Sequence, residues 1–190
     1  MLTDLSDNVI QKTAPSALIE KRIQEAAADA RSKGWGEPTG QHGTRGVVTI
    51  PLGPREVSIT NQATAALQSN VISSIYWGCE SIATAATWQD WINIAVDDRT
   101  YLVITGVFNR DANPNITQLR LKADGQDLGR ISLEDMYTWE KATAYFAEPI
   151  LVGPGKNLTV RAVGPSSKAL NEPIGLKGYA VCKREYAILE

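Results

Sequence analysis

The sequence predicts an all-β protein: an antiparallel β-sandwich of jelly-roll type over residues 47–190, preceded by an N-terminal helical arm over residues 1–46. Three observations lead to this fold class. Apolar and polar residues alternate in short segments after residue 47, the period of half-buried strands. One earlier segment has helical spacing instead. About eight strands joined by several long connections favour a jelly roll over an immunoglobulin-type sandwich.

Composition bounds the class of protein. The 190 residues fit one domain with an appendage, and 43% hydrophobic with 21% charged residues is typical of a folded chain. The net charge of −2 gives no basic excess that would hold nucleic acid. The start lacks the basic and apolar regions of a secretory signal, and no apolar run is long enough to cross a membrane. We expect a protein made in the cytoplasm, with neither nucleic acid nor a membrane as partner.

The arm begins with a helix predicted at about residues 14–33. Thr13 or Ser16 can cap its N-terminus, Pro15 is tolerated in the first turn, and Gly34 is a natural stop. Asp29 and Lys33 have the spacing of a favourable ion pair.

Apolar residues form one narrow stripe along this helix, and alanines dominate it. Such a helix is marginal alone and needs a surface to lie on, either the sandwich of its own chain or a neighbouring subunit. The subunit interpretation assigns the contact to Leu18, Ile19, Ile23, Ala26, Ala27, Ala30 and Trp35.

A tether follows at residues 34–46, with five glycines and one proline in 13 residues. Trp35 is its large apolar group and could attach the tether to a surface. His42 is the only histidine, and without a second ligand or an orienting partner it is assigned a solvated or structural role.

Strands are predicted from alternation and turn residues. The first two flank residues 51–54, and a loop containing a helical turn is predicted at 132–143. The nearly continuous apolar run 101–108 indicates a central strand, and Asp124-Gly125 is a strong signal for a two-residue hairpin. The strand candidates are 47–50, 56–60, 71–77, 91–96, 101–108, 116–123, 126–131, 144–152 with an interruption at Pro149, 158–163 and 176–183.

The sequence contains no complete motif for calcium binding, phosphate binding or nucleophilic catalysis. Asp111, Asn113 and Asn115 alternate like the start of a calcium loop, but the glycine and the glutamate that such a loop needs later are missing. The segment 153–157 is a turn rather than a phosphate loop, and no nucleophile elbow occurs. The predicted sandwich contains no histidine. We therefore expect no enzyme, no metal and no cofactor.

Two features leave alternatives open. Cys79 and Cys182 stand about a hundred residues apart and are expected to be buried free thiols, a disulfide between strands being the other possibility. Tryptophans are more numerous than the core requires, and they serve either packing and interfaces or stacking on sugar rings. The sugar-stacking candidates are Trp77, Trp88, Trp91 and Trp139.

The layout of arm, glycine tether and single jelly roll resembles the capsid, cement and head-decoration proteins of viruses. The similarity lies in the pattern of residues 47–190, namely the run 101–109, Pro114-Asn115-Ile116-Thr117, the Asp124-Gly125 hairpin, Glu148-Pro149-Ile150 leading to Gly153-Pro154-Gly155-Lys156, and Gly178-Tyr179-Ala180-Val181. The resemblance implies a virion protein that assembles as trimers or dimers with itself and with other capsid subunits, the arm locking its neighbours. The alternative function is a carbohydrate-binding or adhesive β-sandwich module.

Overall fold

The computed structural model describes residues 10–37, 45–52, 84–169 and 172–184. These residues form nine strands and two helices in the order β1 Ile10–Gln11, α1 Ser16–Ser32, β2 Val47–Leu52, β3 Gln89–Ala95, β4 Thr100–Asn109, β5 Gln118–Ala123, β6 Gln126–Ser132, α2 Glu134–Thr138, β7 Thr143–Val152, β8 Asn157–Val163 and β9 Ile174–Lys183.

The strands form two antiparallel sheets. One has five strands in the order β1-β7-β4-β9-β2, and the other has four in the order β3-β8-β5-β6. The main core lies between them, and it includes Trp91, Phe146, Leu102, Leu119 and Ile131, each at most 2% exposed. The prediction of an antiparallel, all-β sandwich is confirmed.

Strand β4 is the third of five in its sheet, as expected of the apolar run 101–108, and all ten of its residues are buried. Strand β5 differs: Leu119 and Leu121 face the core, while Arg120 and Lys122, which alternate with them, face outward. A turn of α-helix, α2, lies in the segment 132–143 where a helical turn was predicted.

The predicted hairpin at Asp124-Gly125 is confirmed. Their φ angles are +53° and +79°, the positive values that a type I′ turn requires at both central residues. Ala123 and Gln126 pair across the turn.

Two predictions at prolines are wrong. The first strand was predicted to end at Ile50, before Pro51, but β2 continues through Pro51 to Leu52. Strand β2 is the edge of its sheet, where a missing N–H is tolerated. Strand β7 likewise runs through Pro149 without interruption. Its register with β4 shifts between Ile104 and Gly106, and Pro149 lies in that irregular stretch.

Helix α1 is where the sequence places it, but its cap is not. Pro15 occupies the N-cap position and no side chain caps the helix, so the assignment to Thr13 or Ser16 is wrong. Ser16 already lies inside the first turn. At the other end Gly34, with φ +77°, donates to the Arg31 carbonyl and Trp35 donates to that of Ala30. This is a Schellman motif, so the predicted stop at Gly34 is confirmed.

Several sequence predictions lie outside the described residues: the strands at 56–60 and 71–77, and His42, Trp77 and Cys79. Cys182 lies on β9 as a buried free thiol, and burial raises its pKa to about 11. Neither described helix has the length and apolar character needed to cross a membrane.

Candidate functional site

Helix α1 lies on the outer face of the five-stranded sheet. Ala26 and Ala30 are fully buried against Tyr101, Val103 and Val181 of β4 and β9. Alanines let the helix approach the sheet closely, and Ile23, Ala27 and Trp35 pack around this contact. The stripe therefore covers the sheet of its own chain.

This placement corrects the subunit interpretation for three of its seven residues. Ile19, Ala26 and Ala30 are at most 8% exposed within one chain, so they present no surface to a neighbour. Leu18 alone among the described large apolar side chains is exposed, at 44%. It precedes Ile19 by one residue, about 100° around the helix, and so leaves the stripe.

Three polar side chains join the C-terminal end of α1 to the sheet: Asp29, Lys33 and Tyr101. We call this group the latch. The Tyr101 hydroxyl donates to the Asp29 carboxylate and accepts from Lys33 Nζ at 2.5 Å, while Lys33 and Asp29 pair directly at 2.9 Å. The Trp35 ring lies 5.4 Å from that of Tyr101. The predicted Asp29–Lys33 pair is confirmed, and Trp35 does attach the start of the tether to a surface.

The latch changes the acid–base behaviour of its members. The hydrogen bonds from Tyr101 and then Lys33 lower the pKa of Asp29. Hydrogen bonding to Tyr101 and then Asp29 raises the pKa of Lys33. Burial, followed by the Asp29 carboxylate, raises the pKa of Tyr101. The ionised carboxylate and ammonium are thus the forms that fit the folded state.

The segment before α1 is attached at a second point. Ile10, 5% exposed, joins the main core, and Ile10 and Gln11 of β1 pair with Phe146 and Tyr145 of β7. Lys12 Nζ lies 5.1 Å from the centre of the Trp139 ring. The sequence reasoning missed β1, because two residues are too few for an alternation signal.

The tryptophans do not form one exposed platform. Trp91 is 2% exposed and belongs to the core, so the sugar-stacking prediction is wrong for it. Trp139 is half-buried and packs against the core. Trp88 is half-buried before β3, where its carbonyl accepts from Arg161. Trp77 lies outside the described residues.

A buried carboxylate ties loops together at one end of the sandwich. Glu172, 2% exposed, accepts from the backbone N–H of Asn115 at 2.6 Å, the N–H of Ile116 at 3.2 Å and the Asn109 side chain at 2.7 Å. Lys168 adds a contact at 3.4 Å. These donors come from 56 to 63 residues earlier in the chain, apart from Lys168, so no local pattern signals the cluster.

The side chains of Asp111 and Asn115 in the calcium-like segment have different partners. Asp111 pairs with Lys168 at 2.8 Å and accepts from the Asn113 N–H at 2.8 Å. The Asn115 side chain instead bonds to Ser166. Tyr137, whose pKa burial raises, donates to the Ile116 carbonyl at 2.5 Å. The arrangement joins loops, and its polar groups are used in doing so.

No group of three histidine, cysteine or carboxylate side chains suited to a metal ion occurs in the described ranges. Comparison of the chain with protein-family models, curated proteins and solved structures finds no match.

Proposed function

We propose that this chain is a non-enzymatic structural protein of a virus particle, a capsid, cement or decoration subunit built on a jelly roll with an N-terminal helical arm. The proposal rests on the strand order. Counting β2 to β9 as eight strands, one sheet takes the first, eighth, third and sixth, and the other takes the second, seventh, fourth and fifth. Among the described strands, that order supports a jelly roll, which is built of two Greek keys.

The proposed partners are further copies of this chain and other capsid subunits, and the proposed location is the virion. In this assembly the apolar stripe of α1 holds the arm on its own sandwich. The outward side of the helix, centred on Leu18, contacts the neighbour. One exposed leucine contributes little by itself, but repetition over a closed oligomer or lattice multiplies weak contacts.

The test is the mass of the full chain in solution, measured by light scattering for the native sequence and for Leu18→Glu. Removing the arm is a poor test, because it would uncover Tyr101, Val103 and Val181, which are at most 4% exposed beneath it. Leu18→Glu leaves them covered. We expect a trimer or dimer that the substitution dissociates.

The matched control is Ala28→Glu, which adds the same charge at another exposed position of α1 and should leave the mass unchanged. A native chain that is monomeric at all concentrations would overturn self-assembly. If the oligomer persists in Leu18→Glu, α1 does not form the contact between subunits.

A further inference from the structure

The outer face of the four-stranded sheet carries a row of three arginines. Arg120 of β5 is in register with Arg130 of β6 on one side and with Arg161 of β8 on the other. The residues that flank each arginine along its strand are buried. The three side chains therefore all point away from the core. Adjacent strands place them about 5 Å apart.

Like charges directly opposite one another destabilise a sheet, and two of the arginines have a carboxylate to offset this. Arg120 pairs with Asp127, and this contact lowers the pKa of Asp127. Arg161 Nε lies 2.8 Å from an oxygen of Asp90. Arg130 is exposed and has no carboxylate partner among the residues that the structure describes.

A bulge is what places Arg130 in this row. The register of β6 against β5 shifts between Arg120 and Lys122, so that two residues, Leu128 and Gly129, lie opposite Leu121. Gly129 has φ +103°. In a regular strand Arg130 would face the core and Ile131 the solvent. Ile131 is instead 1% exposed, and Arg130 is turned outward.

We propose that the arginine row binds a carboxylate-bearing segment of a partner protein, with Arg130 as the residue that receives the partner's carboxylate. A guanidinium presents paired N–H donors that match a carboxylate. Two carboxylates of the same chain already lie against the row, Asp127 at Arg120 and Asp90 at Arg161. The partner supplies the third, at the exposed side chain of Arg130.

The charge balance of the face favours an acidic protein segment over a polyanion. Asp90 and Asp127 neutralise two of its three arginines, which leaves Arg130 and the neighbouring Lys122. A nucleic acid or sulfated polysaccharide needs a continuous excess of positive charge. Arg130, an exposed guanidinium beside two arginines that already have carboxylates, fits a single Asp or Glu of the partner.

The probe is fluorescein-labelled poly-L-glutamate, added to the full chain and followed by fluorescence anisotropy. Arg130→Gln should weaken binding by on the order of tenfold, as expected for a charged hydrogen bond. Lys21→Gln removes the same charge from an exposed position of α1, on the opposite side of the sandwich, and should bind like the native chain. Higher salt should weaken binding.

Arg130→Lys keeps the positive charge but removes the paired N–H donors of the guanidinium. If these donors contribute to recognition, this variant should bind poly-L-glutamate more weakly than the native chain does. Equal binding by Arg130→Gln and the native chain would overturn the proposal, as would an equal loss in Lys21→Gln. If heparin binds more tightly than poly-L-glutamate, and if its binding requires Arg130, the ligand of the row is a sulfated polysaccharide instead. An unchanged light-scattering mass of Arg130→Gln would show that any loss is independent of self-assembly.

Discussion

The two outer faces of the sandwich differ although both sheets are antiparallel. On the five-stranded sheet the outward positions carry Tyr101, Val103 and Val181, and helix α1 covers them. On the four-stranded sheet the outward positions carry arginine, lysine and threonine, and no described element covers them. The side chains of the outer face, rather than the strand pairing, therefore decide whether a sheet needs a second layer.

The largest difference in stability should appear when a charge is placed on each outer face in turn. Val103→Asp puts an unpaired carboxylate under α1, where Val103 is 0% exposed, and should lower the free energy of unfolding by about 4 kcal/mol. Thr159→Asp adds the same group opposite Lys122 on the other sheet. It should change stability by less than about 0.5 kcal/mol. Urea unfolding measures both, and equal losses would contradict the difference between the faces.

A smaller effect should follow from enlarging the contact under the helix. Ala26→Leu inserts three carbon atoms where Ala26 is 0% exposed, and such overpacking costs about 1–3 kcal/mol. Ala28→Leu makes the same change on the exposed side of α1. Because alanine and leucine have similar helix propensities, it should be nearly neutral. Thermal unfolding measures both variants. Equal melting temperatures would mean that the helix is packed only loosely on the sheet.

The smallest effect concerns the latch and its pH dependence. Since the folded state lowers the pKa of Asp29 below 3.8, ionised Asp29 contributes stability at pH values above 3.8, and this contribution disappears as the pH falls through the lowered value. Asp29→Asn should therefore melt below the native protein at neutral pH, and the gap should close in acid. Tyr101→Phe should shift the same acid transition toward 3.8. A gap that stays constant with pH would mean that Asp29 does not act through its charge.

Much of the fold could be predicted because its signals are local. Alternation identified β5 and β8, and Asp124-Gly125 fixed the hairpin between β5 and β6. The side on which α1 packs was left open, yet the sequence held a clue. A run such as 101–108, apolar on both sets of alternate positions, implies that both faces of β4 are covered. A helix with a narrow alanine stripe is suited to supply one cover.

The candidate surfaces were less predictable because they depend on register. The backbone N–H groups that donate to Glu172 lie far earlier in the chain, so they reach it only in the folded protein. The row of Arg120, Arg130 and Arg161 exists only because a bulge shifts β6, and Gly129 was its single local sign. Trp91 was misassigned because the aromatic count does not reveal which face of a strand a residue occupies.

The position of β9 has a consequence for how the protein is made. It is the last described strand along the chain, yet it lies between β4 and β2 and pairs with both. Until the ribosome has released β9, β4 lacks a neighbour on one side and an apolar strand edge stands open. Contacts between residues so distant in sequence also form slowly. The nascent chain therefore passes through an aggregation-prone interval, during which chaperones should affect its yield more than its final stability.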